Sequence, residues 1–289
     1  MIGENRAQLA LIGFRYDENS SFMKGAADAP SQIRAALRSE AWNLSSENGT
    51  ELDSVFFDAG DVEPQPSGDM FSLIENSVGT LISDGLAPIS LGGDHSITYP
   101  SAAAVARAVW PRSLGVIHFD AHADTGADQW GNLHAHGQPM RRLIDEGWVA
   151  GKNFVQIGLR GYWPDRDTFE WMREQGMRWH AMTEIEERGS EAVLADAIVE
   201  ALDGPEVIYL SVDIDVVDPG MAPATGTPEA GGMLARELLR AVRQIVSQVE
   251  LVGMDVVEVS PPYDHAEVTA ILAHRTVMEA ISALGARRR

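Results

Sequence analysis

The sequence predicts an α/β fold in which a mostly parallel sheet of about eight strands is sandwiched between helices. Three observations predict it. Short apolar runs alternate with helix-patterned segments along the whole chain. Several runs are almost continuously apolar, such as Val207-Ile208-Tyr209-Leu210, as strands buried on both faces are. Three of the runs end in blocks of aspartate and histidine, and open parallel sheets carry their ligands outside the carboxyl ends of strands.

The elements follow in order. Leu9–Gly13 is the first strand and Ser31–Arg38 the first helix. Val55–Asp58 precedes the helix Asp69–Asp84, and Pro88–Leu91 precedes Thr98–Val109. Leu114–Asp120 is followed by the helix Met140–Glu146, Asn153–Ile157 by Asp167–Gln175, and Met177–His180 by Ser190–Leu202. Val207–Asp213 leads to the clearest helix, Leu234–Val249, where Leu234, Leu238, Val242, Ile245 and Val249 form one apolar stripe. Glu250–Glu258 is the last strand and Val268–Leu284 the last helix.

Residues 1–289 are expected to form a single domain: no Pro/Ser/Gly linker, charge block or internal repeat divides them, and large open sheets reach this size as one unit. The absence of cysteine excludes disulfides, iron–sulfur ligation and thiol nucleophiles, and is compatible with a cytoplasmic location. Met1 to Arg6 lacks the basic-plus-apolar pattern of a secretion signal. No apolar stretch approaches the ~20 residues that span a membrane, so no membrane partner is expected. The net charge of −21 argues against nucleic acid and would concentrate a cationic substrate.

The three blocks are Gly92-Gly93-Asp94-His95-Ser96, His118-Phe119-Asp120-Ala121-His122-Ala123-Asp124 and Ser211-Val212-Asp213-Ile214-Asp215. Taken as ligands, His95, Asp120, His122, Asp124, Asp213 and Asp215 supply four carboxylates, whose charge two divalent ions match. Unmetallated, four such acids repel one another strongly. On an extended chain the two-residue spacing of Asp213 and Asp215, repeated in Asp120, His122 and Asp124, puts side chains on one face. Two such sets can hold ions roughly 3.5–4 Å apart. Hard carboxylates with two imidazoles favour two Mn²⁺ per subunit over Ni²⁺, Co²⁺ or Zn²⁺. His118 lies within its strand and reads as a core histidine, and Asp94 as a turn or supporting residue.

Water bridging two divalent ions loses a proton near neutral pH and becomes a nucleophile for phosphoesters, amides or amidino groups. No Lys or Arg clamp for phosphate flanks the ligand blocks. Glu258, closing the last strand, suits a planar guanidinium instead, through paired hydrogen bonds. The departing amine needs a proton donor. His136 is the candidate, with His134 two residues earlier as the alternative.

These blocks resemble those of the ureohydrolase family of arginases and agmatinases. Val216-Val217-Asp218-Pro219, Ala222 to Gly232, Met254 to Val259 with Pro261-Pro262-Tyr263-Asp264, and the early Gly25, Pro30 and Ile33-Arg34 extend the resemblance over nearly the whole chain. It implies an arginase-like three-layer α/β/α domain with two Mn²⁺ and hydrolysis of a guanidino compound to an amine plus urea. It also implies metal ligation by the six residues above, with Asp124 counted among the catalytic residues as well. Guanidinium binding then falls to Glu258, the role of the His-Gly loop motif to His136, and the assembly is a homo-oligomer, a trimer or hexamer. The segment from Met254 to Ala270 is closest in pattern to agmatinases, which makes agmatine the default substrate.

The loop Thr125–Gln138 departs from the agmatinase pattern, although Gly131-Asn132-Leu133-His134 resembles arginase. Asn132, Trp130 and Arg160 are the candidate tail-binding residues, with Tyr162 and Trp163 able to narrow the pocket. An amino tail would use Asp17 or Asp128, a carboxylate tail Arg15 or Arg160. Guanidinobutyrate, guanidinopropionate, arginine, or a small guanidine or biguanide are therefore the rival substrates. A formimino-group hydrolase on the same scaffold ranks lower. From another class, a non-catalytic metal-binding subunit of a hetero-oligomer would be expected to have lost ligands, and none is missing.

Overall fold

A computed structural model describes residues 8–37, 43–47, 49–65, 68–128 and 131–287. Met1 to Arg6, Arg38 and Trp130 lie outside them. The eight strands are β1 (Leu9–Phe14), β2 (Phe56–Val62), β3 (Ala87–Leu91), β4 (Leu114–Phe119), β5 (Phe154–Leu159), β6 (Arg178–Ala181), β7 (Val207–Asp213) and β8 (Leu251–Val257). They form one sheet in the order β2-β1-β3-β8-β7-β4-β5-β6, and every pairing is parallel.

The helices among the described residues are α1 (Ala29–Leu37), α2 (Met70–Ser83), α3 (Thr98–Val109), α4 (Pro139–Asp145), α5 (Arg166–Glu174), α6 (Met182–Arg188), α7 (Ser190–Ala201), α8 (Ala235–Gln248) and α9 (Val268–Ala286). Two apolar cores make the three layers. Leu9 and Leu11 of β1 join Ile208, Leu210 and Val212 of β7 and the inner faces of α1, α6, α7, α8 and α9. Ala10, Ile12 and Phe14 of β1 join Tyr209 of β7 and the inner faces of α2, α3, α4 and α5. Alternate residues of one strand feed opposite cores, which is why the inner strands read as unbroken apolar runs. The edge strand β2 instead alternates half-buried with exposed residues.

Among the described residues, α6 is the one α-helix that the sequence pattern does not predict. It follows β6 without a break, has no side-chain cap, and buries only Met182 and Ile185. Two apolar positions on seven residues are too few for a periodic signal.

The connections place the site. From β3 the chain crosses to β4, leaving a gap in the sheet that β8 and β7 later fill. The four central strands therefore meet where chain direction switches, and their carboxyl ends open a crevice there.

Candidate metal centre

Each block reaches the crevice by a local device. After β3, Gly92 and Gly93 adopt φ of 68° and 83°. A Cβ on Gly93 would stand 3.0 Å from the carbonyl oxygens of Phe14 and Tyr16, so the turn needs glycine twice over. It delivers His95 into a short 3-10 turn, His95–Ile97, capped by Asp94 through the Ser96 N–H at 3.1 Å. Past β4 and β7 the chain does not stay extended, which corrects the expected strand alternation. Asp120 Oδ1 accepts the His122 N–H at 2.6 Å, and Asp213 Oδ1 accepts the Asp215 N–H at 2.8 Å. Each aspartate thus folds the next residues into a turn, and the two-residue spacing brings side chains together that way.

Two groups of donor atoms result. Around His95 Nδ1 lie Asp124 Oδ2 at 2.8 Å, Asp120 Oδ2 at 3.1 Å and Asp213 Oδ2 at 3.3 Å. Around His122 Nδ1 lie Asp215 Oδ2 at 3.0 Å and Asp120 Oδ1 at 3.4 Å. All six sequence-predicted ligands are brought together, and Asp120 belongs to both groups. His95 Nδ1 and Asp215 Oδ2 are buried with no hydrogen-bond partner among the described residues. Burial and the charges of Asp215 and Asp120 push Asp213 well above the usual carboxylate range, and burial with Asp120 also raises Asp215. Burial acts the same way on Asp120, but His118, His122 and His95 outweigh it and hold that carboxyl well below the range. Such a cluster ionises fully only with added positive charge. Hard oxygens, imidazole nitrogens and unpartnered buried donors facing one another fit divalent cations.

Supporting bonds fix the donors. His118 Nε2 lies 2.8 Å from Asp120 Oδ2, and its Nδ1 accepts from Gln156 Nε2 at 2.8 Å, so His118 carries its proton toward Asp120. His95 Nε2 contacts Ser211 Oγ at 2.9 Å, and that hydroxyl donates to Asp255 Oδ1 at 2.7 Å. Thr98 and Tyr209 hydroxyls donate to Asp255 Oδ2, each at 2.8 Å. This chain orients the His95 ring so that Nδ1 faces the carboxylates. Sequence reasoning assigned no role to Gln156 or Asp255. An acid inside the apolar run of β8 was the available signal for Asp255.

Glu258 follows β8 at φ 63°, and Asp124 stands at φ 52°; both are non-glycine residues in the left-handed region. Strain of this kind persists where the surrounding structure enforces it, and active sites are where it gathers. Glu258 Oε1 accepts the His95 N–H at 2.7 Å and lies 2.9 Å from His136 Nδ1. Its Oε2 is buried with no partner among the described residues. Burial works against charging His136, but Glu258, Asp124 and Asp94 push its pKa up to about 9. The Ser21 N–H meets His136 Nε2 at 3.1 Å and the Ser21 hydroxyl lies 2.6 Å from it. Ser21 is far from the three blocks in sequence and carried no signal.

A cavity of about 430 Å³ opens over the donors, lined by Ser21, His122, Asp124, Asp128, His136, Gly137, Trp163, Asp213 and Thr227. Several expected tail residues are elsewhere. The Arg160 guanidinium is spent on backbone carbonyls, with Nη2 on Asp215 O and Glu229 O at 2.6 Å, so it braces the loop behind Asp215. Asn132 and His134 line a different cavity, which separates His134 from His136. Arg15 pairs with Asp28 and Glu63, and Asp17 accepts the Gly25 N–H at 2.7 Å. Tyr162 points wholly into solvent. Of the charged tail candidates, Asp128 alone lines the cavity.

A family model described as the arginase family matches residues 7–283. A guanidinopropionase from Pseudomonas aeruginosa is 40% identical over 287 residues, covering 96% of this chain and 86% of that protein. A proclavaminate amidinohydrolase from Streptomyces clavuligerus is 40% identical over 276 residues, covering 92% and 84%. Among solved structures, formimidoylglutamase from Bacillus subtilis superposes with a TM-score of 0.90 at 30% identity, covering 99% of this chain and 89% of that one.

Proposed function

This chain belongs to the arginase family, and from that premise and its donor cluster we propose that it is a binuclear-metal amidinohydrolase that cleaves a guanidino compound, agmatine by default, to an amine and urea. The observation that carries the reading is Asp120, whose two oxygens face two separate donor groups. His95, Asp124 and Asp213 would hold one ion, His122 and Asp215 the other, and Asp120 both. The donor set suits Mn²⁺ ahead of Ni²⁺, Co²⁺ or Zn²⁺. When bound, such ions supply the Lewis acidity that ionises water at neutral pH.

The remaining steps belong to side chains. Glu258 offers a buried, unpartnered Oε2 to a guanidinium N–H, and a charge-assisted bond there is strong because the oxygen is already desolvated. The same carboxylate holds His136, which gives a proton to the nitrogen that leaves as the C–N bond breaks. Asp124 lines the same cavity as His136. No lysine or arginine lines the cavity among the described residues, and Asp128 does, which supports an amino-tailed substrate. A guanidino acid is the second reading, favoured by the guanidinopropionase at 40% identity. We take the enzyme to be a cytoplasmic homo-oligomer, trimeric or hexameric; no helix among the described residues is long and apolar enough to cross a membrane.

Urea release from agmatine, guanidinobutyrate, guanidinopropionate, arginine and guanidine by Mn²⁺-loaded protein tests the reading. The highest kcat/KM is expected for agmatine. Urea from none of them, with metal bound and the chain expressed alone, would overturn the enzymatic assignment in favour of a metal-binding subunit.

A further inference from the structure

A second cavity, of about 370 Å³, lies on the other side of the loop that carries His136. Its walls are aromatic and acidic. Phe71 is the hub: its ring centroid is 5.1 Å from His134, 6.0 Å from Tyr99 and 6.3 Å from Tyr16, with the His134 and Tyr16 rings edge-on to it. Asp69 and Glu75 supply carboxylates, and no lysine or arginine among the described residues lines the space. Around it, Arg107 answers Glu75 at 3.2 Å, and Arg142, over the Tyr99 ring, pairs with Glu146. Asp69 has no cationic partner among the described residues; it caps α2 through the Phe71 N–H and the Ser72 hydroxyl. Burial, together with Asp94, Glu18 and Asp69, pushes the Tyr16 phenol up to about 12. Burial and Arg142 lower the His134 pKa.

Aromatic rings and a carboxylate without a cationic partner around an open cavity are the chemistry that holds an organic cation. We propose that this cavity is a second binding site, separate from the metal centre, for a small organic cation of the amine or guanidinium class. Asn19 ties the site to the first cavity. Its backbone carbonyl accepts the His136 N–H at 3.2 Å, its side-chain oxygen accepts from Asn132 at 3.3 Å, and its N–H donates to Asp94 at 2.9 Å. An occupant touching Asn132 and His134 therefore presses on the residues that hold His136.

The test is a titration of metal-loaded protein with guanidinium chloride, against sodium chloride at matched ionic strength, read by calorimetry. The protein is compared with three variants. Asp69→Asn keeps the helix cap and removes the charge; Phe71→Leu removes the central ring; Glu258→Gln changes a residue of the metal centre that does not line the second cavity. The second site predicts a binding step that persists in Glu258→Gln and weakens about five-fold or more in both Asp69→Asn and Phe71→Leu. Binding unaffected by Asp69→Asn and Phe71→Leu, or no binding beyond that of sodium, would overturn it. A step lost with Asp69→Asn but no step sensitive to Glu258→Gln would keep this site and sink the role of Glu258 instead.

Discussion

The donor cluster and the loop of residues 125–138 border the same cavity, yet they are built in opposite ways. In the cluster Asp120, His95 and Asp215 each have a buried bond behind them: His118 on Asp120, Ser211 and Asp255 behind His95, and the Ala121 N–H on Asp215 Oδ1 at 2.9 Å. The outer residues of the loop, 127–128 and 131–134, are held lightly, while its inner end fixes His136 through Ser21 and Glu258. Asp128 is exposed and bonds the Gly131 N–H, and Asn132 reaches Asn19 at 3.3 Å. Buried supporting bonds narrow the geometry their donors can take, whereas exposed loop residues tolerate change at small cost. The proposed reaction and the proposed tail recognition therefore rest on parts of the molecule with different freedom to vary.

Substitutions can break or sharpen that contrast. The largest effect is expected from Asp120→Ala, which removes the carboxylate common to both donor groups. Elemental analysis should find both metals lost, with urea release down at least about a thousand-fold; full metal content would break the shared-ligand reading. Next comes Glu258→Gln, which should keep the metals and lower kcat/KM about a hundred-fold or more by removing the charge that meets the guanidinium. His136→Asn should lower kcat about a hundred-fold with metal content intact, while His134→Asn stays within about two-fold; the reverse ranking would move the proton donor. Asp255→Asn leaves every donor in place but loosens the bond chain behind His95, and should weaken metal affinity by about ten- to a hundred-fold in a chelator competition. The smallest effect belongs to the loop. Asp128→Asn should change kcat/KM for agmatine by about three- to ten-fold and leave guanidine unaffected; equal losses on both would show that Asp128 does not sense the tail.

The parallel sheet and the three donor blocks were legible because their signals are local. An unbroken apolar run such as Val207-Ile208-Tyr209-Leu210 reports burial on both faces, and an aspartate ending such a run reports a strand end. Glu258 was legible for the same reason. His136 against His134 was not, since two histidines on one loop differ only in what lies across from them. His136 meets Ser21 and Glu258, while His134 meets Phe71 and Tyr99. Arg160 was misread because an arginine near a cavity in sequence looks free, and only the folded chain brings the carbonyls of Asp215 and Glu229 to its guanidinium.

The amino-acid order by itself determined the layered α/β architecture and the chemical nature of the donors, because strand burial and strand-end turns depend on neighbours a few residues away. The tertiary structure alone decided which atom of each donor faces the cavity, which histidine stands beside Glu258, and that Asp255 and Gln156 hold the cluster in place. Those outcomes depend on hydrogen bonds between residues tens to more than a hundred positions apart, such as His136 with Ser21 and His95 with Glu258, and the directions of such bonds exist only once the strands have been brought side by side.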